Sequence, residues 1–151
     1  MKILVLGIGN PILSDDGAGI RVAQEVGNQL HDPQVTVAET SEAGLRLLDS
    51  FVGYDKVIII DAVQTEKGQA GQIYRMGPED FSFAKHLSSP HQMNLVTALE
   101  LGNALDLAMP QKITIFAVEA KNVTTFSEKC TPEVEQAVPK LVNMVMEELV
   151  G

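Results

Sequence analysis

The chain holds a single cysteine, Cys130. A lone thiol cannot close an internal disulfide, so the composition gives no sign of an oxidising compartment. Basic residues are also scarce. Eleven Lys and Arg stand against 20 Asp and Glu, a formal net charge of −9. A surface of that sign argues against nucleic acid and anionic membrane as partners. No stretch approaches the roughly 20 apolar residues of a membrane span. The start, MKILVLGIGNPILSDDG, has neither the longer apolar segment nor the small-residue cleavage site of a signal peptide. A cytoplasmic protein is the expectation. Familiar hydrolase and nucleotide motifs are missing too: G-x-S-x-G, H-E-x-x-H and the P-loop do not occur.

What is present is a chain of 151 residues, 45% hydrophobic. That is enough for one domain, residues 1–151, with a proper core. Short apolar runs at Lys2 to Gly9, Lys56 to Asp61 and Lys112 to Val118 predict buried strands. Gln34 to Thr40 and Gln72 to Met76 alternate like half-buried strands, the latter at an edge. Helical spacing covers Gly17 to Leu30 and Ala43 to Phe51. A longer helix is predicted from Pro90 to Ala108, with Ser89 as N-cap, Pro90 at the first helical position and Gln92 completing a capping box. Thr131 caps a last helix with Pro132 at its first position, running to about Val150. Strands that alternate with helices and are apolar on both faces imply an α/β fold, a mostly parallel sheet covered on both sides.

Ligands in such sheets bind at the carboxyl ends of the strands, where strand order reverses. The polar residues expected there are Asn10, Ser14, Asp15 and Asp16 after the first strand, Glu39 after the second, Asp61 at the end of the third, and Glu119 after the last. The first loop, GIGNPILSDDGAG, imitates a dinucleotide fingerprint and fails it. Gly7 and Gly9 fit, but the third glycine falls on Ile12, and two acids stand where a pyrophosphate wants backbone N–H groups. Acids suit a cation better. His91, predicted in the first turn of its helix, sits where the helix dipole disfavours imidazolium, and neutral imidazole is the metal-binding form. One of Asp15 and Asp16, with Asp61 and His91, brings ligands from three separate segments. Together they make an incomplete cation site, whose mixed nitrogen and oxygen ligands suit nickel, zinc or cadmium better than magnesium.

Each of these residues has a plainer reading as well. One of Asp15 and Asp16 can cap the following helix, leaving the other free. Asp61 can be a strand-end acid bonding the next turn. His91 can be an exposed histidine at a helix start, with His86 five residues earlier and His31 on the surface. Cys130, with no histidine near it in sequence and an expected place off the carboxyl edge, reads as an incidental thiol rather than a nucleophile.

GIGNPILSDDGAGIRVAQEV, VIIIDAV and SSPHQMNL, in this order and over nearly the whole length, resemble the maturation proteases of nickel-iron hydrogenases. The resemblance implies a three-layer α/β fold, a twisted five-stranded, mostly parallel sheet between helices. It implies an endopeptidase that removes the C-terminal extension of a hydrogenase large-subunit precursor once nickel is in place. Asp16, Asp61 and His91 match the family's metal-binding positions. Nickel carried by the substrate would be the recognition element, with zinc or cadmium able to substitute in isolation. A metal-polarised carbonyl or water fits the hydrolytic step. Asp15 would only shape the loop. The chain departs from the family after the second strand, where many members carry Asp-Gly-Gly-Thr. Here Glu39, Thr40, Ser41 and Glu42 stand instead, which leaves the partner hydrogenase open. Two other readings compete: a non-catalytic nickel-binding module that delivers metal without cutting, and a nucleotide-binding α/β module.

Overall fold

A computed structural model describes residues 1–41, 46–77 and 99–150. Five strands form one sheet in the order β2-β1-β3-β5-β4. They are β1 (Ile3–Ile8), β2 (Val35–Thr40), β3 (Lys56–Val63), β4 (Ile73–Met76) and β5 (Lys112–Glu119). The first, second, third and fifth run parallel, and β4 pairs antiparallel with β5 at the edge. The helices are α1 (Ala18–Gln29), α2 (Arg46–Phe51), α3 (residues 99–104) and α4 (Pro132–Val150).

Alternation along β3 sorts the core into two layers. Ile58, Ile60 and Ala62 face α1 and α4, packing with Val22, Val26, Val134 and Leu141. Val57 and Ile59 face the other way, with Leu47 and Phe51 of α2 and Leu99 of α3. Every residue of β1 and β3 is buried. That explains why their sequences are continuous apolar runs, whereas β2 alternates beside solvent. The sheet is thus the middle of three layers, as expected from sequence.

Two strands are longer than their apolar runs. The third strand continues through Ala62 and Val63, because Asp61, Ala62 and Val63 pair in register with Ala117, Val118 and Glu119. Asp61 is therefore inside a strand rather than at its end, and Glu119 is the last residue of β5 rather than a loop residue. Helix α3 stops at residue 104, short of Ala108, and Asp106 adopts a left-handed φ of 55° just beyond. The start of that helix, with its caps, His86 and His91, lies outside the described residues, as does the segment from Glu42 to the start of α2.

Candidate active site

Strand order reverses between β1 and β3. From β1 the chain crosses by α1 to β2 on one side, and β3 lies on the other. Pairing of β1 with β3 ends at Gly7 and Ile60, so the two strands part just before Asp61. The start of α1 fills that fork. A Cβ at Gly19 would overlap the carbonyl oxygens of both Ile60 and Ile8. Gly9 has a φ of 149°, and a Cβ there would overlap the carbonyl oxygen of Asp16. The glycines that imitate a nucleotide fingerprint thus serve internal packing, letting the loop fold back over the strand ends.

That folding sets Asp16. The acid lies in a 3-10 turn, Ser14–Gly17, between β1 and α1. Its Oδ2 accepts the backbone N–H of Asn10 at 3.0 Å. Asn10 in turn accepts the N–H of Ile12 on its own side-chain oxygen at 3.2 Å, an Asx turn that fixes the loop. Asn10 has a positioning role that the sequence reading did not assign. The Asn-Pro pair opening the loop was the available signal.

Asp61 is 2% exposed, and its Oδ1 accepts the N–H of Ala62 at 2.8 Å. Burial pushes its carboxyl well above the usual carboxylate range. The nearby charge of Asp16 pushes it further, and the Ala62 N–H works in the opposite direction. Two acids 45 residues apart in sequence are therefore held close enough at the fork for one to oppose ionisation of the other. The third predicted member, His91, is outside the described residues, and among the described residues no three His, Cys, Asp or Glu side chains cluster as a metal site.

Neighbouring Asp15 does something else. Neither acid caps α1, whose N-cap is Gly17 with no side-chain bond. Asp15 is fully buried and accepts the backbone N–H groups of Lys121 and Asn122 at 2.9 and 3.0 Å, together with the N–H and hydroxyl of Thr131. It ties the acid loop to the connection between β5 and α4. The capping expectation fails because the short 3-10 turn directs this carboxylate away from its own helix and onto a segment more than 100 residues later.

The same tie brings Cys130 to the carboxyl edge, contrary to its expected place. Its Sγ lies 3.8 Å from the carbonyl oxygen of Ser14. Burial pushes the thiol's pKa up, and this outweighs the opposing pull of Arg21, so the nucleophilic thiolate is disfavoured. Glu119 is buried as a structural acceptor for Thr65 and Tyr74. Glu39 is exposed and accepts a bond from Gln24 at 3.0 Å. His31 is exposed, as expected.

A cavity of about 480 Å³ sits elsewhere, lined by Met76, Leu99 and the first residues of β5. Paired carboxylates at a topological switch point are the stronger sign of chemistry.

Fold and acids together define an α/β protein with a carboxylate pair at the switch point of its sheet. The model of the HycI hydrogenase maturation protease family matches residues 20–148. The chain belongs to that family and is a hydrolase. It is 29% identical to a hydrogenase 2 maturation protease of Escherichia coli over 150 residues, 97% of this chain and 89% of that one. The E. coli hydrogenase maturating endopeptidase HybD has the same fold, with a TM-score of 0.87 and 28% identity over 99% of this chain and 92% of that one. HybD from Thermococcus kodakarensis, a nickel-iron hydrogenase maturation protease, gives 0.76 and 27% over 97% and 98%.

Proposed function

We propose that this chain cuts the C-terminal extension from a nickel-iron hydrogenase large-subunit precursor, and that it recognises the nickel the precursor already carries. The observation that carries this reading is the pair Asp16 and Asp61. Two carboxylates from separate segments are held together at the switch point, and burial and like charge raise the cost of ionising Asp61. A cation between them relieves that cost, and an imidazole added to the two carboxylates suits nickel, zinc or cadmium better than magnesium. The donor set therefore fits a metal that arrives with the substrate.

His91 completes the set in this reading. Helix α3 leads into β5 at the amino edge of the sheet. Asp61 alternates onto the same face as α3, with Val57 and Ile59. Bound metal would supply a Lewis acid beside the scissile carbonyl. Asp16 and Asp61 hold the precursor's metal-bearing segment in register with the cut, and Asn10 keeps Asp16 in place. Two carboxylates and one imidazole leave positions open, so a metal held by the precursor's own ligands can dock there.

The test is cleavage of purified precursor, with and without loaded nickel, by enzyme pretreated with chelator. Cleavage of the loaded precursor alone is the expected result. Equal cleavage of nickel-free precursor would sink the reading, as would loss of activity that free zinc alone restores.

A further inference from the structure

Aromatic side chains are scarce in this sequence, two Tyr and five Phe with no Trp. Phe51 and Phe116 are core residues. Phe126 is 82% exposed, in the connection between β5 and α4. Ile12, in the acid loop, is 48% exposed. The two are brought together by pairing between their loops. Leu13 and Ser127 form a parallel bridge. The N–H of Ser127 donates to the carbonyl of Ile12 at 2.9 Å, and the N–H of Ser14 donates to the carbonyl of Ser127 at 2.9 Å. Ile12 and Phe126 each directly precede a bridge residue, so the bridge and its two hydrogen bonds bring them to neighbouring positions.

Both loops are rigidly held. Asn122 accepts the N–H groups of Thr124 and Thr125 on its side-chain oxygen, each at 3.0 Å, which shapes the turn before Phe126. Asp15 clamps the first residues of the same connection and Thr131 behind it. A large apolar side chain presented on a fixed loop loses little conformational freedom on binding, and such residues anchor protein interfaces. The platform is also continuous with the acid pair. Ile12 lies within the Asx turn whose Asn10 fixes Asp16, and Pro11 beside it packs against Gly17.

We infer that Ile12 and Phe126 form an apolar docking platform for the hydrogenase precursor, seating an apolar segment of the large subunit beside the processed tail. This rests on the proposed substrate and adds the contact that holds it. Binding energy collected here, away from the metal, holds the precursor equally in the ground and transition states, so its loss is read in KM.

The experiment uses the full chain and nickel-loaded precursor. Ile12→Ser with Phe126→Ser should raise KM about tenfold or more, the loss of an interface anchor, with kcat at saturating precursor retained and the melting temperature unchanged. Phe126→Leu, which keeps an apolar side chain, should recover most of the loss. An unchanged KM in the double variant, with the wild type cleaving normally, overturns the docking platform and leaves the peptidase reading standing. A wild type that cleaves no loaded precursor overturns the peptidase reading and the platform with it. Sedimentation of enzyme alone decides against a second copy as occupant. A wild-type dimer that the double variant dissolves into monomers would overturn the assignment to the precursor.

Discussion

Strand β3 begins on Lys56 and carries Asp61 near its other end, and both side chains are nearly buried. At the Lys56 end, opposite charges are paired. Lys56 Nζ lies 3.0 Å from Glu148, Arg75 lies 2.7 Å from it and Lys112 lies 3.5 Å away. Lys56 also donates to the backbone carbonyl of Glu148 at 2.9 Å. Helix α4 has no basic residue in its last turn, so the strands supply the cations that suit its negative end. Burial alone would raise the Glu148 carboxyl, but its bonds to Arg75 and Lys56 hold it down at about 2. At the Asp61 end, a buried acid faces the like charge of Asp16, and its ionisation is opposed. One sheet thus carries a charge cluster arranged for stability at its amino edge and one held against ionisation at its carboxyl edge. A fold that tolerates such a cost in one place marks that place for binding or catalysis.

The sharpest break of this contrast is at the acid end. Asp16→Asn or Asp61→Asn should lower cleavage of nickel-loaded precursor by about 100-fold or more, beyond the loss typical of an outer-shell partner. Circular dichroism should show the fold intact, since asparagine keeps the size of each side chain and an oxygen to accept the same backbone N–H. Retained cleavage in Asp61→Asn would remove the distinction between the two edges. The same variant should also be the more stable protein. An acid whose folded value is raised takes stability from the native state as pH climbs above its ordinary 3.8 toward the raised value. Asp61→Asn, which cannot ionise, should therefore gain on the wild type as pH rises through that window. A melting-temperature difference that stays flat with pH would contradict it.

The amino edge should respond the other way. Glu148→Gln leaves the buried Lys56 without its counter-charge and should cost on the order of 3 kcal/mol of unfolding free energy. Cleavage well below the melting temperature should be unchanged. The folded Glu148 value is lowered, so its stabilisation is fully present above the ordinary 4.5 and is lost as pH falls through about 2. Denaturant melts of wild type and variant should converge over that acid range. A gap that persists at the acid limit would place the effect in packing rather than charge.

The smallest effect is expected at Cys130, which lies against Ser14 just behind the acid turn. Cys130→Ser should keep processing activity and change stability by no more than about 1 kcal/mol, since the side chain is only partly buried at the margin of the core and serine keeps its size. Alkylation of the thiol should leave cleavage unharmed. Abolished cleavage with an intact fold would shift the chemistry from the carboxylates to the thiol.

The sequence by itself determined the strands and most of the helices, because periodicity and caps are local. Continuous apolar runs marked β1, β3 and β5, alternation marked β2 and β4, and Thr131-Pro132 marked the start of α4. The loop acids and Asp61 were legible as candidates because a parallel sheet gathers its strand ends on one edge. Tertiary pairing decided the rest. It extended β3 past Asp61 by giving those residues partners in β5, which no window of the β3 sequence contains. It separated Asp15 from Asp16, adjacent in sequence, by sending one to Thr131 and leaving the other beside Asp61. Cys130 and Phe126 reached the acid edge for the same reason: hydrogen bonds spanning more than 100 residues fold their loop onto the first one. Local pattern encodes which way a side chain faces, but only packing fixes which distant segment it meets.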